Sequence, residues 1–305
     1  LKKIVVPAST SNLGPGFDTL GLAVNRYLTI EVEPSPDFSI EISGEGYNEI
    51  PTDKSNLTAR ALMEILGGLP KLKIRIRNEI PSCGGFGASG AAIIGGLVLG
   101  NELLPQMGSA CGGQEKRSEE YIYNTAISIE GHPDNVSAAL FGGLIVNARR
   151  MSGGYSHIKI PVNGNLKFVA ILPDSRVETA AARKILPTSV SLHEAVSNVQ
   201  HSSLLVAAFA LGDYEMIRYA IHDELHEKHR KKLIPHFDDF EKLALENDAL
   251  AFTVSGAGSS CIAFSLQDCG RIQDSFMKLI EELKLNWRTE IFEPVNEGVK
   301  VLSCD

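Results

Sequence analysis

Cysteine is sparse and unpaired in this 305-residue chain: Cys83, Cys111, Cys261, Cys269 and Cys304 are scattered, odd in number and without CxxC spacing. That pattern excludes a disulfide framework and a structural zinc finger, and it points to a reducing compartment. Positive charge is short too, with 29 Lys and Arg against 37 Asp and Glu, a formal net charge of −8. The densest basic run, Lys228, Arg230, Lys231 and Lys232, is too short for a nucleic-acid arm. Neither a nucleic acid nor an anionic membrane is expected as a partner, although a local basic pocket for a small anion stays open. Long apolar runs are lacking as well: the most apolar window, Ala91–Leu104, is broken by Gly95, Gly96 and Gly100, so no membrane span is expected. The opening run Leu1–Pro7 has no basic region ahead of a long apolar stretch, and because it starts without Met a few upstream residues are expected. The cytoplasm is the expected location.

What is present is an ordinary globular balance of 44% hydrophobic and 22% charged residues, enough for two lobes with buried cores. Strands are predicted at Ile4–Val6 and where apolar residues alternate: Leu28, Ile30, Val32; Phe38, Ile40, Ile42; Leu72, Ile74, Ile76. Helices are predicted over Asn56–Leu66, capped by Ser55 or Asn56, then Ser89–Leu104, Ser118–Ile129 and from just after Pro133. Gln106–Arg117 reads as an exposed connection. Leu144–Asn147 and Phe168–Leu172 read as strands around a turn-rich Gly153–Asn165, which sets a lobe boundary at 152/153. Further on come helices at His193–Leu211, Tyr214–His226, Phe237–Glu246 and Gly270–Leu283. Strands follow at Ala251–Val254 and Cys261–Phe264, with edge strands near Trp287–Phe292 and Val299–Leu302. Elements come in blocks rather than in strict alternation, so α+β is the expected class.

Ile80–Ala92 carries the sharpest local signal. Gly84, Gly85 and Gly87 let a backbone approach a ligand and adopt positive φ, and the loop feeds a helix whose free N–H groups favour phosphate. It is neither GxxxxGK[ST] nor GxGxxG with a ribose-binding acid. A tight turn leading into a close-packed helix of small residues fits the same letters. Two more polar glycine segments, Pro7–Gly21 and Thr253–Cys261, each fit a plain connection when taken singly. Together, the three look like walls of one pocket.

With these segments the chain resembles the GHMP small-molecule kinases, and within them the homoserine-kinase branch. The resemblance rests on Pro7–Asp18 (PASTSNLGPGFD), on Glu130–Asn135 (EGHPDN) followed by Phe141–Gly143, and on two later segments. Those are Thr179–Arg183 ahead of Leu186–Pro187, and His226–Arg230 ahead of Leu233–Pro235. It implies a two-lobed fold, with a mixed α/β lobe at 1–152 holding the nucleotide-phosphate loop. A ferredoxin-like α+β lobe at 153–305 would carry the substrate side and the third glycine motif. It implies ATP and Mg²⁺, phosphorylation of the L-homoserine hydroxyl in threonine synthesis, and a homodimer as an open option.

The same resemblance assigns the amino-acid site to Asn12, Asp18, His132, Asn135, Thr179, Arg183 and Arg230. Asp18 suits the ammonium, and the planar forks of Arg183 and Arg230 suit the carboxylate. On pattern alone His132 also fits a satisfied turn histidine, and Arg230 a solvated helix face. The nucleotide would meet Pro81, Ser82, Cys83, Gly84, Gly85, Phe86, Gly87, Ala88 and Ser89, with Gly256 and Gly258 from the third motif. Asn56 is expected on the adenine side. Ala88 replaces a hydroxyl usual in the superfamily, and Asn124 stands where many relatives have a metal-binding Glu. Metal binding is therefore assigned to Ser89 and Glu130. Asn135, standing where other members have an Asp base, and Asn12 are expected to orient the hydroxyl without a strong protein base. Two alternatives remain: another GHMP kinase acting on a mevalonate-like alcohol, and a catalytically silent metabolite sensor.

Overall fold

The computed structural model describes residues 2–107, 115–175 and 177–303, built on two sheets. Cys111, Cys304, Leu1 and much of the expected connection Gln106–Arg117 lie outside the described residues. The larger sheet begins with β1 (Lys2–Ser11), β2 (Leu20–Pro34), β3 (Ser39–Gly44) and β4 (Leu72–Asn78). Their order is β1-β2-β4-β3, antiparallel except for the parallel β3–β4 pair. Leu28, Ile30 and Val32 of β2 and Ile74 and Ile76 of β4 are buried, the single apolar face that their alternation predicts.

Helix α1 (Leu57–Leu66) is capped by Asn56, whose Oδ1 accepts from the Thr58 and Ala59 N–H groups. It packs on α2 (Ala88–Met107), the central helix of this lobe. By length and composition α2 could cross a membrane over Ala88–Pro105, contrary to the expectation that no window approaches a span; 61% of that stretch is buried inside the protein. Helices α3 (Glu119–Glu130) and α4 (Asp134–Phe141) follow, then the hairpin of β5 (Leu144–Arg149) and β6 (Tyr155–Ile160).

Strand β6 overturns the reading of Gly153–Asn165 as turns alone. Its residues are mostly exposed, so no apolar alternation marks it, and pairing with β5 keeps it in the larger sheet. The chain crosses to the smaller sheet between Ile160 and Lys167.

The smaller sheet starts with β7 (Lys167–Leu172). A short α5 (Thr179–Lys184), which no pattern announces, leads to α6 (Leu192–Leu211), closed at its start by a Ser191–Glu194 capping box. The helix expected over Tyr214–His226 is broken. A 3-10 turn at Tyr214–Met216 runs into α7 (Ile217–Ala220), and residues 221–226 are irregular. The break has a side-chain cause: Asp223 Oδ2 accepts from the N–H groups of Leu225, His226 and Glu227, starting a new helix, α8 (Glu227–Arg230). Then come α9 (Phe237–Glu246), β8 (Ala251–Val254), β9 (Cys261–Ser265), α10 (Gly270–Glu282) and β10 (Arg288–Phe292). The antiparallel order β10-β7-β9-β8, with α9 and α10 packed on the Val169, Ile171 and Ala263 face, is the ferredoxin-like arrangement. Finally β11 (Lys300–Ser303) returns to pair with β1 at the edge of the larger sheet.

Candidate active site

The connection expected over Pro7–Gly21 is shorter than predicted, because β1 runs on through Ser11. Its last hydroxyls are buried, which a strand tolerates only when they are hydrogen-bonded. They are. Ser9 Oγ donates to Asn135 Oδ1 (2.9 Å), Ser11 Oγ accepts from Asn135 Nδ2 (3.2 Å), and Thr10 Oγ1 lies 2.8 Å from Ser255 Oγ. Asn12 then turns the chain at φ +68°, with Oδ1 accepting from the Asp18 N–H (3.1 Å) and Nδ2 donating to the Gly256 carbonyl (2.8 Å).

The glycine segments are stitched together in the same way. Ser255 Oγ donates to the Gly85 carbonyl (2.7 Å), Ser260 Oγ to that of Gly84 (2.6 Å) and Ser259 Oγ to that of Cys83 (3.2 Å). All three segments meet around one cavity of about 320 Å³. That settles the choice between plain connections and pocket walls in favour of walls.

Gly87 has φ +65°, and a Cβ there would sit 2.1 Å from Ser9 Oγ and 2.8 Å from Asn135 Oδ1. An added side chain would therefore meet Ser9 and Asn135 first, so close packing of the loop on β1 and α4 is a further reason for glycine here. Within the loop Pro81, Ser82 and Gly84 to Ser89 line the cavity. Phe86 is also buried against Phe292, ring centroids 4.3 Å apart. Cys83 departs from its expected place. It does not line the cavity, and its thiol lies 3.3 Å from Ser260 Oγ, where burial pushes its pKa up. Asn56 reaches the cavity wall, but its amide is spent on capping α1 and on the Pro51 carbonyl (2.7 Å).

At the start of α2, Ser89 Oγ donates to Glu130 Oε1 at 2.6 Å. Glu130 ends α3 and lines the cavity, whereas Asn124 joins α3 to β6 through the Tyr155 N–H (3.1 Å) and is not part of the wall. His132 Nδ1 lies 2.5 Å from Asp134 Oδ1, and its Nε2 is 3.8 Å from Glu130 Oε1. Burial disfavours a charged His132, but the hydrogen bond and charge of Asp134, with help from Glu130, outweigh it and push the pKa up. Burial likewise opposes ionisation of Asp134, and His132 with the Asn135 N–H (2.8 Å) overcomes it and holds that carboxyl below its usual range. Sequence reasoning named His132 and Asn135 but missed Asp134 between them. Donor atoms of Asp18, His132 and Asp134 also lie within 4.8 Å of one another, a spacing that could hold an ion. In this arrangement they are already engaged, Asp18 by Arg183 and the other two by each other.

Another part of the lining is basic. Arg183, near the end of α5, makes a bidentate pair with Asp18: Nη1 to Oδ2 at 2.9 Å and Nη2 to Oδ1 at 2.6 Å. Thr179, at the start of the same helix, lines the cavity. Arg230 is 2% exposed, which rules out a solvated helix face; its Nη1 donates to the Gly256 carbonyl (2.8 Å) and its Nε is unpartnered. Burial first, and Arg183 second, bring its pKa down to about 10, so it stays charged at neutral pH. Phe17, another residue the sequence did not flag, lies under both arginines, with guanidinium carbons 5.4 Å (Arg183) and 5.1 Å (Arg230) from its centroid.

Comparison with known proteins agrees with this architecture. The GHMP kinases N terminal domain model matches residues 54–143, and the GHMP kinases C terminal model matches 205–278. The homoserine kinase of Caldanaerobacter subterraneus is 39% identical over 98% of this chain and 95% of its own length. That of Caldicellulosiruptor bescii is 38% identical over 98% of this chain and 96% of its own. The crystal structure of homoserine kinase from Cytophaga hutchinsonii superposes with a TM-score of 0.82 at 27% identity, covering 98% of this chain and 96% of that one. A glycine loop at a helix start, lining one cavity together with paired arginines, is carried here by a chain that belongs to the homoserine kinase family of the GHMP kinases.

Proposed function

We propose that this chain transfers the γ-phosphoryl group of ATP to the side-chain hydroxyl of L-homoserine, giving O-phospho-L-homoserine and ADP. The observation that carries the reading is one cavity lined both by the Gly84–Ser89 loop and by Asp18, Arg183 and Arg230. The loop suits a polyphosphate, through backbone N–H groups at the start of α2. The charged residues suit a small zwitterion, with one acid for the ammonium and two planar cations for the carboxylate. A mevalonate-like alcohol has no ammonium for Asp18.

Phosphoryl transfer needs little covalent help, so position and charge decide the rate. In this reading the substrate oxygen forms a bond to the γ-phosphorus, the bond from that phosphorus to the bridging oxygen of ADP breaks, and the hydroxyl proton leaves to a phosphoryl oxygen or to water. Asn135 lines the cavity with its amide fixed by Ser9 and Ser11, so it offers orientation rather than basicity. Asn12 shapes the same wall by holding Asp18 and Gly256. Asp134, the neighbouring carboxylate, is buried and engaged by His132. Replacing Asn135 by Asp therefore adds no useful base, and turnover should not rise.

Ser89 and Glu130 form a pair of oxygen donors beside the loop, a donor set that fits a hard cation. Mg²⁺ held by these two residues would neutralise the phosphate oxygens. The substrate is held from both halves of the chain: Asn12, Asp18 and Asn135 lie in 1–152 with the phosphate loop, and Arg183, Arg230 and the third glycine motif lie in 153–305. A homodimer belongs to the same reading, and light scattering tests it. A coupled ADP-release assay with homoserine, mevalonate, sugars and simple amino alcohols tests the substrate. Turnover confined to homoserine is expected; nucleotide binding without turnover of any alcohol would point to a sensor instead.

A further inference from the structure

Asp18 and Arg183 both face the cavity, yet each satisfies the other. Their side chains are 34% and 36% exposed, and the two parallel bonds use both carboxylate oxygens and both terminal guanidinium nitrogens. Arg230 differs: it has no carboxylate partner within ion-pair distance among the described residues and donates instead to the Gly256 carbonyl. The site thus presents one standing cation and one neutralised pair, resting on Asn12 beneath Asp18 and on Phe17 beneath both arginines.

We propose that this pair is itself a specificity element, selecting zwitterions by the cost of dividing it. The inference rests on the homoserine reading and deepens it. A zwitterion can insert between the partners, giving its ammonium to Asp18 and its carboxylate to Arg183, so one ion pair is exchanged for two. A ligand with only a carboxylate has no such exchange: it either breaks the pair and strands Asp18 beside its own negative charge, or it makes do with Arg230. A ligand with only an ammonium strands Arg183 beside Arg230. Discrimination against singly charged analogues then arises from an interaction inside the protein as well as from contacts to the ligand.

This has a consequence that independent contacts do not share. If Asp18 merely recognised the ammonium, Asp18→Asn would tighten 4-hydroxybutyrate, which has none, only by the relieved repulsion between two carboxylates. That gain would persist when Arg183 is also replaced by Gln, whereas a gain that runs through freed Arg183 disappears in that double variant. If Asp18 also occupies Arg183, the same substitution frees Arg183, and 4-hydroxybutyrate should bind more tightly to the variant than to the wild type. The pair is partly exposed, so the gain is modest: about two- to fivefold in Kd, the range of a screened ion pair. Homoserine should move the other way, losing roughly tenfold or more. The mirror substitution, Arg183→Gln, should tighten 3-aminopropan-1-ol, which keeps the ammonium and lacks the carboxylate, while weakening homoserine.

The experiment is isothermal titration of both variants, the double variant and the wild type with homoserine, 4-hydroxybutyrate and 3-aminopropan-1-ol, at low and high salt, with wild-type homoserine turnover measured alongside. Opposite signs for homoserine and the matching singly charged analogue, shrinking at high salt, are the expected result, with the 4-hydroxybutyrate gain lost in the double variant. An unchanged or weaker affinity for 4-hydroxybutyrate in Asp18→Asn, together with no gain for 3-aminopropan-1-ol in Arg183→Gln, overturns the proposal, as does a 4-hydroxybutyrate gain that persists in the double variant. Absence of wild-type homoserine turnover would overturn the functional reading instead, and the analogue shifts in the single and double variants read the pair on their own.

Discussion

Replacing Gly87 by Ala separates what the Gly84–Ser89 loop needs from what a generic turn needs. At φ +65° an added Cβ costs about 1–2 kcal/mol from the left-handed backbone alone. The new methyl would also lie 2.1 Å from Ser9 Oγ and 2.8 Å from Asn135 Oδ1, both held in a hydrogen-bonded cluster. Overpacking of that kind adds about 1–3 kcal/mol, for a total of roughly 2–5 kcal/mol. Gly67, which ends α1 at φ +73° with nothing within 4 Å of its ideal Cβ, provides the control: Gly67→Ala bears the backbone cost alone. Urea unfolding gives the stability difference, and initial rates give KM for ATP. We expect Gly87→Ala to be the less stable variant, with a raised ATP KM as the loop is pushed off Ser9 and Asn135, and Gly67→Ala to keep wild-type kinetics. Equal destabilisation and unchanged ATP KM in both would refute the claim that Gly87 fits the loop to β1 and α4.

Ser89→Ala should lower turnover by about 10²-fold or less, the scale of one lost polar contact to phosphate or metal, with homoserine affinity little changed in binding assays. Arg230→Lys should raise the homoserine KM far more than the ATP KM, because an ammonium cannot both reach the Gly256 carbonyl and lie flat over Phe17. Glu227, half-buried where its carboxylate accepts from Thr253 Oγ1 and the Val254 N–H, has its pKa pushed by desolvation from 4.5 up to about 7. The folded protein therefore holds a proton that the unfolded chain releases, and this contribution is full below pH 4.5 and lost as pH rises through about 7. Glu227→Gln removes the penalty, so thermal unfolding should show its stability relative to wild type rising by about 3 kcal/mol between pH 4.5 and 8. A pH-independent difference would contradict that assignment.

The legible part of the fold was the part with strong periodicity. Leu28, Ile30 and Val32, or Leu72, Ile74 and Ile76, alternate because one face is buried, and Phe237–Glu246 forms the helix its pattern predicts. The extension of β1 through Ser9, Thr10 and Ser11 was hidden because buried hydroxyls look like a loop until Asn135 and Ser255 supply their partners from distant segments. Strand β6 was hidden for the opposite reason: both its faces are largely exposed. At the site, the family resemblance picked out Asp18, Arg183 and Arg230 and their charges suited a zwitterion, but no local rule pairs Asp18 with a residue 165 positions away. The same holds for Phe17, whose role depends on two arginines brought in from α5 and α8. Glycine content marked Gly84–Ser89, which the structure places in the cavity wall, whereas the packing at Gly87 needed the positions of Ser9 and Asn135.

Phosphorus-31 NMR of the protein incubated with ATP, Mg²⁺ and L-homoserine reports the bond that forms. The account requires a new phosphomonoester signal, split into a triplet by the adjacent CH₂ protons, growing in step with ADP and absent when homoserine is replaced by 4-hydroxybutyrate at the same concentration. ADP accompanied only by inorganic phosphate, or a phosphomonoester formed from another alcohol while homoserine stays unmodified, would contradict it.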